Sequence, residues 1–140
     1  MRWFGIAAAG VLTITLTAQA NARDDSLTRM LAGESALQGK KLAKAIAKAE
    51  QSPLGSKANP VRVTMPEGER AYLRRLRCSD GAAPTFDRLG STGDGPFGNI
   101  MDIYKLTCGG GQPATAEVYM DMYHGGFMEL RAAPGFNVAP

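Results

Sequence analysis

A single histidine, His124, and two cysteines, Cys78 and Cys108, are all that this 140-residue chain holds of the side chains that build structural zinc sites. That scarcity excludes the structural zinc sites built from four Cys and His ligands. It also routes any histidine-dependent chemistry through one side chain. No Cys-x-x-Cys is present, which argues against a thioredoxin-type redox centre. A Gly-x-Ser-x-Gly elbow, a nucleotide-binding glycine motif and a metalloprotease helix are missing as well. Neither sign of charge dominates. The formal net charge of +3 is too small to imply a nucleic-acid partner by itself. With 17 glycines and 8 prolines the composition is far from collagen-like or low-complexity. At 44% hydrophobic residues the chain is too apolar for disorder, and its length suits one small domain.

The one long apolar run stands at the start. Arg2 is a minimal positive region, residues 3–16 are apolar, and Ala20-Asn21-Ala22 is a small-x-small cleavage pattern. Residues 1–22 therefore read as a secretory signal peptide. A membrane anchor needs about 20 predominantly apolar residues. Here Thr13, Thr15, Thr17 and Gln19 dilute the run, and Arg23 is met at once by Asp24 and Asp25. The expectation is an exported chain, periplasmic or secreted, with no stable membrane span after cleavage. In that oxidising setting an even cysteine count favours a Cys78–Cys108 bridge. Closing a loop of about 30 residues should contribute roughly 3–4 kcal/mol.

Beyond the leader, the pattern suggests an N-terminal helical segment over residues 23–56 and a disulfide-stapled β-rich unit over residues 57–140. Leu27, Met30, Leu31, Leu37, Leu42, Ala45, Ile46 and Ala49 recur near a 3.6-residue period, giving an amphipathic helix across residues 26–50. Gly33 and Gly39 threaten to break it in two. Asp24, Asp25 or Ser26 could cap its start. An Ala-rich stripe without Trp or Phe suits packing on a sheet better than lying on a membrane.

Residues 61–65 alternate between two prolines and read as an edge strand. Residues 70–78 fit either a strand or a helix entered through Thr64-Met65-Pro66-Glu67. The strand is favoured because Leu76-Arg77-Cys78 echoes Leu106-Thr107-Cys108. Residues 100–108 and 115–123 read as strands, and His124-Gly125-Gly126 as a hairpin turn into a strand at residues 127–131. Residues 79–99 read as a long loop, and residues 134–140 as an extended tail. One geometric constraint acts on all of this. Adjacent antiparallel strands ending in Cys78 and Cys108 would hold the cysteines over 20 Å apart, at ~3.3 Å per residue. A bridge needs Cα atoms within about 7 Å. Either the two segments run parallel, or one is not a strand.

Four constellations could carry chemistry. Met120, Met122 and His124 share one strand face, and thioether with imidazole suits Cu(I). Val118 on the same face points instead to core packing. His124 could act as a general acid or base, oriented by Asp121 or Glu129, with Arg70, Arg74, Arg75 or Arg77 holding an anionic substrate. At a Gly-flanked turn, though, it is expected to be exposed. Residues 57–77 carry a balance of +4 and residues 78–140 a balance of −4. The arginines could bind an anionic polymer, or the two halves could neutralise each other. Asp80, Asp87 and Asp94 are spaced too widely for a calcium loop and read as turn formers.

The fold expected is α+β: an N-terminal amphipathic helical segment packed on a small, mostly antiparallel sheet of four or five strands, with one disulfide. The function expected is non-enzymatic, a binding or interaction protein of the cell envelope with no cofactor. Its partner would be an envelope or extracellular molecule, with an anionic polymer as one option and nucleic acid disfavoured. The alternative is a small secreted hydrolase acting on an anionic substrate through His124. A concave pocket joining His124 to an arginine and a carboxylate would favour that alternative.

Overall fold

In the computed structural model, residue 25 and residues 27–139 are described; the leader, its cleavage site, Asp24 and Ser26 fall outside them. The amphipathic stretch breaks where its glycines stand. Residues 27–31 are helical, residues 32–38 are not, and the helix resumes as α1, Gly39–Ala49. Gly33 has a φ of 70°, a left-handed conformation that ends the first turns. In α1 the stripe Leu42, Ala45, Ile46 and Ala49 faces the protein while Lys40, Lys41, Lys44 and Lys48 are exposed.

Of the strand expected over residues 70–78, residues 70–75 are instead the second half of a helix, α2, Met65–Arg75, and only Leu76–Arg77 are extended. Pro66 in its first turn needs no hydrogen-bonded N–H, and Glu67 complements the positive end of the dipole. Glu69, Tyr72 and Leu73, spaced i, i+3, i+4, are the residues α2 buries. A helix here satisfies the disulfide constraint by the second of its two routes, because Cys78 does not end a strand paired with the one before Cys108. The bridge forms with Cα atoms 6.0 Å apart.

β1 (Val61–Arg62), β3 (Thr85–Asp94), β4 (Ile100–Thr107) and β5 (Thr115–Asp121) form a four-stranded sheet in the order β1-β5-β4-β3. β1 runs parallel to β5 and the other pairs are antiparallel. The edge position expected for residues 61–65 holds for β1. The loop expected over residues 79–99 is wrong in its middle, where β3 pairs with β4 through two register shifts around Gly90 and Asp94. Glycine- and aspartate-rich composition hid a bulged edge strand. The tail also pairs: β2 (Leu76–Arg77) and β6 (Asn137–Val138) make a small antiparallel ribbon. Residues 127–131 form no strand.

Alternation along β4 and β5 divides the sheet into two unlike faces. One face sends Tyr104, Leu106, Val118 and Met120 into a core with Val61, Tyr72, Leu73 and Leu76, where each large apolar side chain contributes about 1.5–3 kcal/mol. The opposite face carries Met101 and Asp121 and is covered by residues 34–38. Ala36 N–H donates to Asn99 Oδ1 at 2.7 Å, and Leu37 N–H to the Phe97 carbonyl. The α+β architecture is therefore a sheet with an apolar face under α2 and a polar face under the N-terminal segment.

Candidate functional site

The polar face owes its shape to the point where β5 ends. Strict alternation would set His124 on the face of Met120 and away from Asp121. The chain instead leaves β5 after Asp121, with an isolated bridge between Thr64 and Tyr123. His124 is pinned there by its own backbone. Its N–H donates to the Val63 carbonyl at 3.1 Å, and its carbonyl accepts from Thr64 Oγ1 at 2.9 Å and Phe127 N–H at 3.0 Å. The expected exposed turn histidine is thus 7% exposed. Backbone pairing on both sides of a glycine-flanked turn, not the turn's own composition, decides its burial.

Around it lies a cluster of buried polar side chains. Asp121, with no exposed surface, accepts from Asn99 Nδ2 at 3.1 and 2.9 Å and from Tyr123 N–H at 3.0 Å. Asn99 Nδ2 also donates to Ser35 Oγ at 3.2 Å. His124 Nε2 lies 3.4 Å from Asp121 Oδ2 but is out of line, so this sealed atom has no hydrogen-bond partner. The Phe97 ring meets the imidazole edge-to-face at 5.0 Å between centroids. Of the two carboxylates expected to orient it, Asp121 lies beside the ring without a hydrogen bond to it. Glu129, the other, instead accepts from Arg131. Burial works against the Glu129 carboxyl, but its hydrogen bonds to Arg131 hold it below the usual range.

His124 lines an open-sided chamber of about 540 Å³ between α1 and the sheet. Leu42, Ile46 and Phe127 supply apolar wall; Glu34, Arg62 and Tyr123 converge on it with His124. Burial, followed by Asp102, Asp121 and Glu69, raises the Tyr123 hydroxyl above its ordinary range, so it enters the chamber as a neutral donor. The arginine here is Arg62. Its guanidinium stands 4.4 Å over the Phe127 ring and 3.5 Å from Glu50. Glu50 is lowered chiefly by hydrogen bonds from Arg131.

The four arginines singled out in the sequence lie elsewhere. Arg70 pairs with Glu67 at 3.0 Å on the surface of α2. Arg74 is exposed. Arg75 donates to the Glu129 carbonyl and stands 5.9 Å over Tyr72. Arg77 donates to the Arg74 and Leu76 carbonyls. Among the described residues no ion pair joins residues 57–77 to residues 78–140, so the two charged stretches do not neutralise each other by direct pairing. Met120 is in the apolar core and Met122 packs against it, while His124 lines the chamber. Among the described residues no three His, Cys, Asp or Glu side chains group as metal ligands.

Ser35, Asn99, Tyr123 and Arg62 were not legible as site residues. Ser35 and Asn99 are 64 residues apart and meet only through the fold. The single usable hint was Gly33, whose break frees residues 34–38 to cross the sheet.

A second buried cluster lies on the apolar face. Glu69 Oε2 accepts from the Tyr104 hydroxyl at 2.9 Å, while Oε1 is buried without a partner. Burial is the main cause that pushes its carboxyl up to about 7. Nearby, Asp102 accepts a two-pronged contact from Arg88 at 2.7 Å. Glu69 lines none of the described cavities.

The chain matches no family model, and comparison with curated proteins and with solved structures returns no significant match.

Proposed function

We propose that this protein is an exported binding protein of the cell envelope, periplasmic or secreted, that holds a small ligand between α1 and the polar face of its sheet. One observation carries the reading: an open-sided chamber of about 540 Å³ where Leu42, Ile46 and Phe127 stand beside convergent polar groups. Small-molecule sites fall in that size range and use a few placed polar groups to fix the ligand. The rigid side is the sheet, where Asp121, Asn99 and Tyr123 are locked by hydrogen bonds. The adaptable side is α1, joined to residues 27–31 through the non-helical stretch containing Gly33. Export is supported by the N-terminal pattern and by the Cys78–Cys108 bridge, which belongs in an oxidising compartment. Among the described residues no helix is long and apolar enough to cross a membrane.

A second reading, hydrolysis through His124, is favoured by the carboxylate 3.4 Å from its ring and by Arg62 and Glu34 on the same wall. What it lacks is a nucleophile in hand. Ser35, the hydroxyl nearest in the network, accepts from Asn99 Nδ2 and donates to the Phe97 carbonyl at 3.5 Å. A base without a hydrogen-bonded side-chain nucleophile leaves binding as the better supported activity.

The test is amide chemical-shift mapping of the isotope-labelled protein titrated with a library of small polar aromatic fragments. Binding in the chamber should move the amides of residues 34–38, 42–46 and 123–127 together. Fragments that bind only elsewhere, or none that bind, would overturn the reading. Turnover of ester or phosphodiester fragments, lost in His124→Ala, would transfer the conclusion to hydrolysis.

A further inference from the structure

Arg62 brings a guanidinium to the chamber wall. Its side chain is only 11% exposed. A guanidinium carries five N–H donors. Among the described residues those donors make no hydrogen bond: the 3.5 Å approach to Glu50 is a charge contact, and the other neighbour is the Phe127 ring. Two other arginines, each about half exposed, are fully paired instead. Arg131 is held by both oxygens of Glu50 and both of Glu129, and Arg88 by both oxygens of Asp102. None of the Arg62 nitrogens is sealed from solvent, so the open edge of the fork remains accessible to a ligand.

We infer that Arg62 is the anchor for an oxyanion, and that the chamber's ligand is a small monocarboxylate with a compact apolar body. This rests on the chamber being a binding site. A planar fork matches a carboxylate with two parallel hydrogen bonds, which lysine cannot provide. The Phe127 ring beneath the guanidinium orients that fork while leaving its edge open. Leu42, Ile46 and Phe127 then face the apolar body. Charge sets the limit of one. Arg62 brings a single positive charge to a wall that also holds Glu34, and Glu50 stands 3.5 Å away. A dianion such as phosphate would place a second, uncompensated charge in that space. Glu50 need not be lost when the ligand arrives, since Arg131 already holds both its oxygens.

The experiment uses phenylacetate, its neutral isostere phenylacetamide, and inorganic phosphate, each titrated calorimetrically into the folded, disulfide-intact protein. Phenylacetate should bind at least tenfold tighter than phenylacetamide, and phosphate should bind more weakly than phenylacetate. Arg62→Gln should erase the preference for the carboxylate, bringing phenylacetate down to the affinity of phenylacetamide. Should that variant melt early, Glu50→Gln gives an independent readout, because removing the competing carboxylate should tighten phenylacetate binding severalfold. Equal binding of acid and amide would overturn the inference about Arg62 while leaving the chamber as a site. A carboxylate preference that survives Arg62→Gln would also overturn it, as would phosphate binding as tightly as phenylacetate. If neither aromatic compound binds, the monocarboxylate assignment fails, and the fragment mapping alone then decides whether the chamber binds anything.

Discussion

Glu69 offers the sharpest quantitative test of the packing on the apolar face. Its carboxyl is 1% exposed, with one oxygen bonded to the Tyr104 hydroxyl and the other without a partner. Burial raises it from 4.5 to about 7 in the folded protein. The charged groups that act on it are Asp102 and Arg88 from the sheet and Arg70 from its own helix. Between the two values the folded state holds a proton that the unfolded chain has released. Stability must therefore fall as pH rises from about 4.5 to about 7, and level off above that. A difference of about two and a half units corresponds to about 3 kcal/mol in all. Glu69→Gln keeps an acceptor for Tyr104 and removes the charge. Whatever constant cost its amide carries, the variant should gain about 3 kcal/mol on the wild type between pH 4 and pH 8, most of it between pH 5 and pH 8. Urea unfolding at unit intervals of pH measures this directly. Stability curves that run parallel for wild type and variant would refute a proton held at Glu69.

Other consequences follow from the same contacts. Asn99→Leu strips both oxygens of the fully buried Asp121 of their amide donor and should destabilise by about 3 kcal/mol, with residues 34–38 exchanging their amide protons faster. Replacing both cysteines by serine should cost about 3–4 kcal/mol in chemical denaturation, as expected for a loop closed across 30 residues. A Cβ at Gly95 would stand 2.4 Å from the sulfur of Met101, which has no exposed surface to retreat into. Gly95→Ala should therefore lower stability by about 1–3 kcal/mol, and a melting temperature within a degree of wild type would show that Met101 repacks freely.

Local chemistry was legible in the sequence wherever it decided structure alone. The glycine break near residue 33, the edge position of Val61 and Arg62, the central strands β4 and β5 and the disulfide all follow from patterns of a few residues. Residues 70–75 failed because the apolar positions there serve both periods, and the resemblance to the segment before Cys108 favoured the wrong one. The cysteine spacing already contained the correction, since a 6.0 Å separation is incompatible with that strand pairing antiparallel to its neighbour. β3 was hidden because edge strands carry the glycines and charges that otherwise mark loops.

The site was less visible than the fold. His124 and Asp121 could be named, but their meeting depends on the chain leaving β5 one residue before alternation would part them. Arg62 figured in the sequence only as part of the alternating edge segment at residues 61–65. Its place on the chamber wall is set by α1 and Phe127, which lie 65 residues beyond it in the case of the ring; no local pattern encodes that. The arginines of α2 drew attention by clustering in sequence, and a helix disperses such a cluster around its axis.

The most direct measurement of the central claim is the effect of filling the chamber. Ile46 is half-buried on α1 and lines the space, so Ile46→Trp places an indole where the ligand should lie. Fragments that bind the wild type are expected to lose at least tenfold in affinity for this variant while its melting temperature stays within a few degrees. Unchanged affinity in a folded Ile46→Trp protein would contradict the account, because the molecule would then bind its ligands somewhere else.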